Sequence, residues 1–177
     1  MAKHNALKAL VSFDGRTRRR DWWLIWIGLA VIQTSLWALL SKMIFGAWPS
    51  LLDPSLSQGE AAVSLGVLLV FLWPLTALSM RRAHDRDKSG WLVLVSAPLA
   101  IADGIAMLIA PDLMMSPMAP PFSTLDIAKH VFTSVYLIIG FWLLVTLGFL
   151  DGTPGPNRYG QSPKGVGQNN YVSPPAD

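Results

Sequence analysis

The 177-residue chain contains no cysteine, which excludes disulfide bonds, thiolate metal ligands and a cysteine nucleophile. Charge is scarce as well: Asp, Glu, Lys and Arg make up 14% of the residues, against roughly a quarter in a soluble domain. Histidine occurs only at His4, His84 and His130, at no spacing that builds a zinc site. Phosphate-binding loops and nucleophile constellations are missing too, so neither a cofactor nor a metal is expected. No polar stretch is long enough to fold around a core of its own.

Apolar sequence fills the chain instead, at 52% of its residues. Four runs, Trp22 to Ser41, Ala61 to Met80, Trp91 to Ala110 and Val131 to Leu150, each have the roughly 20 residues needed to cross a hydrocarbon core. Only Asp103 breaks their freedom from charge. In lipid each backbone N–H and C=O must find its partner inside the segment, so each run is expected to be a helix. The fold class expected is an all-α integral membrane protein with four transmembrane helices, forming one domain over residues 1–160. The first run is longer than a signal-peptide core of roughly 7–15 residues and no small-residue cleavage site follows it, so it reads as a retained span.

Twelve of the 14 Lys and Arg lie before the first run, between the second and third, or after the fourth, leaving Lys42 and Lys129 in the other two gaps. Short connections rich in Lys and Arg stay on the cytoplasmic side, so both termini and the central connector are expected to be cytoplasmic. The same rule accounts for the net charge of +3 without a nucleic-acid partner. The bilayer is the expected partner, with anionic phospholipid against the arginines at 16 and 18–20; self-association or a membrane-protein partner stays open. Leu7, Leu10 and Val11 recur at the spacing of a short interfacial helix. Trp22, Trp23 and Trp26 follow at the depth of an aromatic belt. Gln161 to Asp177, rich in Pro, Gly and Asn, reads as a disordered cytoplasmic tail. The gaps 42–60 and 111–130 are proline-rich and read as irregular connections.

Within the spans, Pro74 and Pro98 stand at matching depths beneath the basic connector, and each removes a helical hydrogen bond. Paired kinks there would splay the hairpin and open a polar vestibule. Asp103 falls near the bilayer midplane, a placement that marks either a proton- or ion-linked site or a structural bond, with Thr34, Ser35, Ser64 and Thr133 as candidate partners. Gly104 beside it allows close helix approach, and Gly140 and Gly148 read as packing positions on the fourth span.

Three polar segments fall on one expected face: Phe13 to Arg19, Arg81 to Trp91 and Pro154 to Gly160. Asp85 and Asp87 offset half of the connector's basic charge, which an orientation signal alone would not require. Arg82 and Asp85 suit forked, charge-assisted pairing, and His84 is able to donate, accept or titrate near neutral pH. Pro154 and Pro156, alternating with Gly152 and Gly155, turn the chain back so that Arg158 and Tyr159 dock against Asp85 or Asp87. The candidate polar cluster is Arg16, Arg19, Arg82, His84, Asp85, Asn157, Arg158 and Tyr159, and Asp103 is a separate intramembrane site.

Taken together, F-x-G-R-x-x-R-x-x-W-W, R-R-x-H-D-x-x-x-S-G-W and G-x-x-G-x-N-R-Y-G resemble the family called domain of unknown function 805, small YhaH-like bacterial inner-membrane proteins. The resemblance spans nearly the whole chain. It departs at Ala83, where the family typically has a larger aliphatic residue, and in the Pro- and Met-rich third gap. It implies location in the bacterial cytoplasmic membrane and brings no established activity. The function expected is therefore that of a non-enzymatic membrane protein whose polar cluster is structural or binds a lipid head group, an anion or a partner protein. The alternative is a small oligomeric transporter or channel component using Asp103 and the Pro74 and Pro98 kinks. A lipid-acting enzyme with His84 and Asp85 as acid and base lacks the rest of a catalytic constellation.

Overall fold

A computed structural model describes residues 10–49, 57–109 and 123–165. Four helices long and apolar enough to cross a membrane make up most of these residues: α1 (Arg19–Phe45), α2 (Gln58–Asp85), α3 (Trp91–Ile109) and α4 (Thr124–Leu143). A single π-helical turn, Leu144–Phe149, continues α4. The described residues contain no strand, only an isolated bridge between Asn157 and Gly160. Leu24, Val31, Val70, Ile138 and Phe141 point outward, which suits a lipid surround and would be costly in water.

Helices α1 and α2 outrun their apolar runs at both ends, and α4 begins at Thr124, inside the gap 111–130 that was expected to be irregular. α2 begins three residues before its apolar run, at a capping box: the Ser57 Oγ accepts the Glu60 N–H at 3.2 Å and the Ser57 N–H donates to Glu60 Oε2 at 3.0 Å. That reciprocal pair satisfies two otherwise orphaned donors. Its other end runs five residues past Met80. It stops in a Schellman motif, with Lys88 N–H on the Ala83 carbonyl and Asp87 N–H on the His84 carbonyl, both at 3.0 Å. The left-handed position falls on Asp87, with φ 56°, not on a glycine. Gly90, with φ 68°, instead opens α3, its carbonyl accepting the Val93 N–H at 2.9 Å. A Cβ at Gly90 would press on Met80 and Ala83; the small side chain of Ala83, buried there, belongs to this close approach.

Pro74 and Pro98 lie inside α2 and α3 without ending either helix. Of the expected interfacial helix, Leu10 and Val11 are helical, and residues 1–9 lie outside the described part. So do residues 166–177 of the expected tail, residues 50–56 and 111–122 of the two proline-rich connections, and Ala110 at the end of the third apolar run.

The chain divides into two compact units. The basic unit takes its described residues from Met1–Ile27, Trp73–Leu94 and Leu143–Asp177, and the apolar unit comprises Gly28–Leu72 and Val95–Trp142. Trp22, Ala77, Leu78, Met80, Ala83, Val93 and Leu147 are buried in the first, and Leu29, Ala61, Val67 and Phe71 in the second. Inside the apolar unit α3 presses on α2 at Gly104, where a Cβ would meet Leu65 Cδ1 at 2.8 Å, whereas a Cβ at Gly140 would meet nothing within 4 Å. Gly140 thus makes no close approach to the described residues of its own chain. Gly148, in the basic unit, does: a Cβ there would lie 2.7 Å from the Trp23 ring.

Candidate functional site: a buried arginine and aspartate cluster

Arg16, Arg82 and Asp85 are 3%, 0% and 2% exposed, although charged side chains are almost never fully buried unless paired. Asp85 lies one turn after Arg82 on α2 and receives its Nη1 on Oδ2. Its other oxygen, Oδ1, accepts the Arg16 Nε at 3.1 Å, with Arg16 Nη2 3.0 Å away. Each arginine therefore holds one carboxylate oxygen, and no oxygen of Asp85 faces outward.

The two cations outnumber the one anion, and helix ends supply the remaining negative potential. The last four carbonyls of a helix lack intrahelical partners and carry the negative pole of its dipole. Where α4 ends in its π turn, Arg82 Nε donates to the Leu147 carbonyl at 2.7 Å and Nη2 to that of Leu150. Trp23 Nε1 takes the Gly148 carbonyl at 2.8 Å and Arg19 Nη1 that of Phe149 at 2.9 Å. Four successive carbonyls are thus capped by side chains of α1 and α2. Thr146 Oγ1 adds a bond to the Leu143 carbonyl at 3.2 Å.

The end of α2 is capped in the same manner by the segment after α4. The Asp85 carbonyl accepts the Thr153 N–H at 2.8 Å and its hydroxyl at 3.1 Å, and the His84 carbonyl accepts Asn157 Nδ2 at 2.9 Å. Arg16 binds this segment too, with Nη1 on the Gly155 and Gly160 carbonyls at 2.7 and 3.3 Å and Nη2 on the Thr153 carbonyl at 2.7 Å and hydroxyl at 3.0 Å. With Nε on Asp85, all five of its N–H donors are used. A Cβ at Gly152 would collide with the Asp85 carboxylate and lie 2.8 Å from the Asp85 carbonyl.

Of the residues expected to cluster, Arg16, Arg82, His84, Asp85, Asn157, Arg158 and Tyr159 are brought together. Arg19 stands at the rim, half exposed, with Asp151 at 3.4 Å. Arg158 pairs with Asp87, Nε to Oδ1 at 3.1 Å, as one of the two acids anticipated. Tyr159 meets neither acid: its ring stacks on His84, centroids 3.9 Å apart and planes within 4°. Asp85 is closed to Tyr159 because the two arginines already occupy its oxygens.

His84 lies past the apolar run of α2. Burial pushes its imidazole below the ordinary pKa and Arg158 adds to this, against the opposing pull of the Gly15 and Phe13 carbonyls and of Asp14. The neutral form is favoured in the fold, so stability is full above the ordinary pKa of about 6.5 and falls as pH drops through it, where the unfolded chain takes up the proton first. Acidification from about pH 7.5 to 5.5 should lower the thermal midpoint in detergent, and His84→Gln should flatten that slope; an unchanged slope would refute the assignment.

Thr153 and Gly152 were not anticipated as members, nor was Thr17, whose hydroxyl accepts Arg81 Nε at 3.3 Å and whose N–H donates to the Arg81 carbonyl at 3.1 Å. Gly152 stood within the third motif, but nothing near it in sequence points to Asp85. Asp103 does not join the cluster. It lies half-buried in the apolar unit, within electrostatic reach of the Tyr136 phenol. Among the described residues no group of three or more His, Asp or Glu side chains is placed to hold a metal ion.

The family model described as "Protein of unknown function (DUF805)" matches residues 10–161, a range that starts before Arg16 and ends after Gly160. Curated relatives come from Escherichia coli K12. The uncharacterized protein YiiR is 31% identical over 89% of both chains. The inner membrane protein YhaH is 28% identical over 89% of this chain and 92% of its own, and the inner membrane protein YhaI is 26% identical over 90% and 92%. No solved structure matches.

Proposed function

The chain belongs to the DUF805 family of proteins of unknown function, and we propose that it is a non-enzymatic, multi-pass inner-membrane protein whose Arg16–Arg82–Asp85 cluster is a structural clamp that holds a basic rim against anionic phospholipid. The observation that carries this reading is the saturation of the clamp: the Arg16 donors and both Asp85 oxygens are spent on the chain itself. Enclosed and tied to one another in this way, these groups are disposed to fix the chain and not to receive a substrate.

The rim is where a ligand would find unused charge. Among the described residues Arg18, Arg19, Arg158 and Lys164 stand near carboxylates, whereas Arg20 and Lys88 are exposed with no carboxylate of those residues at ion-pair distance. Arg20 adjoins the Trp22–Trp23–Trp26 cluster and Lys88 lies three residues before exposed Trp91, so both fall at head-group level beside interfacial aromatics. The distribution of Lys and Arg supports a cytoplasmic position for the basic rim and both termini.

The test is lipid retention. Native mass spectrometry of the protein extracted from mixed phosphatidylglycerol and phosphatidylcholine bilayers should show phosphatidylglycerol enriched, and Arg20→Gln with Lys88→Gln should at least halve that enrichment without lowering the thermal midpoint. Equal retention in parent and variant would remove the lipid role. Reporter fusions placing the connector around Lys88 outside the cytoplasm would reverse the orientation.

A further inference from the structure

The two halves of the apolar unit are packed to different degrees. On α1 and α2, Leu29, Val67 and Phe71 are buried, whereas no residue is buried along α3 from Val95 to Ile109 or along α4 from His130 to Leu143. Each of these two helices has one face exposed outright, as a lipid-facing stripe should be: Pro98, Ala102 and Ile105 on α3, and Val131, Val135 and Ile138 on α4, at the i, i+3, i+4 spacing of a single face. The faces turned away from those stripes are only half-buried, at Ala100, Asp103 and Met107 on α3 and at Phe132, Tyr136 and Ile139 on α4. Asp103 and Tyr136 come within electrostatic reach of each other, so the two half-open faces meet there. A close-packed interior leaves almost no such room; α3 and α4 border a crevice.

The crevice lies deep. Asp103 stands twelve residues into α3 and Tyr136 twelve into α4, roughly 18 Å from each helix start, within a hydrocarbon core about 30 Å thick. An ionised carboxylate is expensive at that depth unless a countercharge meets it. Asp103 forms no ion pair with any described residue. A hard metal cation takes roughly six to eight oxygen ligands, and the carboxylate and phenol together offer three. An organic ammonium ion asks for less: one carboxylate for its charge, an aromatic face within about 6 Å of its nitrogen, and apolar walls for its substituents. Met107, Phe132 and Ile139 are such walls.

We propose that the crevice between α3 and α4 is a binding site for a lipophilic organic ammonium ion, with Asp103 as its counter-ion and the Tyr136 ring against its cationic head. The proposal is independent of the clamp and of the basic rim, whose residues belong to the other unit.

The experiment is thermal unfolding of the full chain in a non-ionic detergent at constant ionic strength. One arm adds benzyltrimethylammonium chloride, and the other adds neopentylbenzene, which has the same shape without the charge. The parent should gain stability with the cation and not with the hydrocarbon. Without addition, Asp103→Asn should melt with the parent or above it, because it keeps the size of the side chain and deletes an unmatched charge. With the cation, its apparent Kd should rise roughly tenfold or more. Tyr136→Leu should raise it about threefold or more, while Tyr136→Phe, which keeps the ring, stays near the parent. A purely structural role for the two side chains would not separate leucine from phenylalanine in the cation's increment. A crevice filled with water around a neutral carboxyl gives the parent no increment, and that result overturns the site. So does an increment equal in parent and Asp103→Asn, or equal for cation and hydrocarbon, since binding would then be elsewhere or by apolar partition alone. Should Asp103→Asn fail to fold, Tyr136→Leu against Tyr136→Phe decides.

Discussion

Asp85→Asn is expected to lose about 3–5 kcal/mol, the cost of leaving a buried charge without its partner. The amide keeps the size and one acceptor of the carboxylate, but the guanidinium groups of Arg16 and Arg82, both almost wholly enclosed, lose the full countercharge that both of them touch. Helix-end carbonyls do not replace it, because their partial charges already balance the excess cation. A loss of this size is a large part of an ordinary stability of about 5–15 kcal/mol, so the variant should yield little monodisperse protein and unfold well below the parent. Arg82→Met should be nearly as severe, since it leaves the Leu147 and Leu150 carbonyls unpaired as well as half of Asp85. If Asp85→Asn matched the parent in thermal midpoint, the cluster would not be a clamp.

Gly152→Ala is the second large effect, and it comes from one methyl group. A Cβ at that position overlaps the Asp85 carboxylate and crowds the Asp85 carbonyl to 2.8 Å. Overpacking alone costs about 1–3 kcal/mol. The atoms displaced are the anchor of both arginines and the carbonyl that receives Thr153, so the total should approach that of Asp85→Asn. Two glycines serve as controls. Gly155 and Gly140 have nothing within 4 Å of an added Cβ, so Gly155→Ala should fall within about 0.5 kcal/mol of the parent and Gly140→Ala, inside α4, should be neutral or better. Thermal midpoints of the three variants side by side would separate close approach from mere glycine content; a Gly152→Ala midpoint equal to that of Gly155→Ala would rule out the contact.

The four helices were legible because length and apolarity are local properties: each run fills a hydrocarbon core, and charge is excluded from it. Their ends were less so. Ser57 and Glu60 carry a capping-box spacing in plain view, but a reading keyed to apolar residues starts at Ala61 and leaves them in the loop. The end of α2 was obscured because Arg81 to Asp85, polar in sequence, remain helical once their charges are enclosed by other segments. The π turn could not be read at all, since Leu144 to Phe149 simply continue an apolar run and the bonds that Arg82, Trp23 and Arg19 make to the carbonyls there come from far along the chain. The cluster's membership followed from motifs sharing a face, yet its wiring did not. Tyr159 reached His84 because Asp85 was already saturated, and Thr153 gained its central place from a backbone turn that has no signature beyond glycine and proline.

The long reach of Arg16 has a consequence for biosynthesis. Its acceptors at Gly155 and Gly160 lie 139 and 144 residues later in the chain, and at roughly 5–20 residues per second a ribosome needs about 7–30 seconds to supply them. During that interval the guanidinium must remain among water and head groups, so the first helix enters the bilayer before its own terminus is locked. A nascent chain halted ahead of the final strap would carry an unmatched cation at the membrane surface, a mark by which proteolysis could tell unfinished molecules from complete ones.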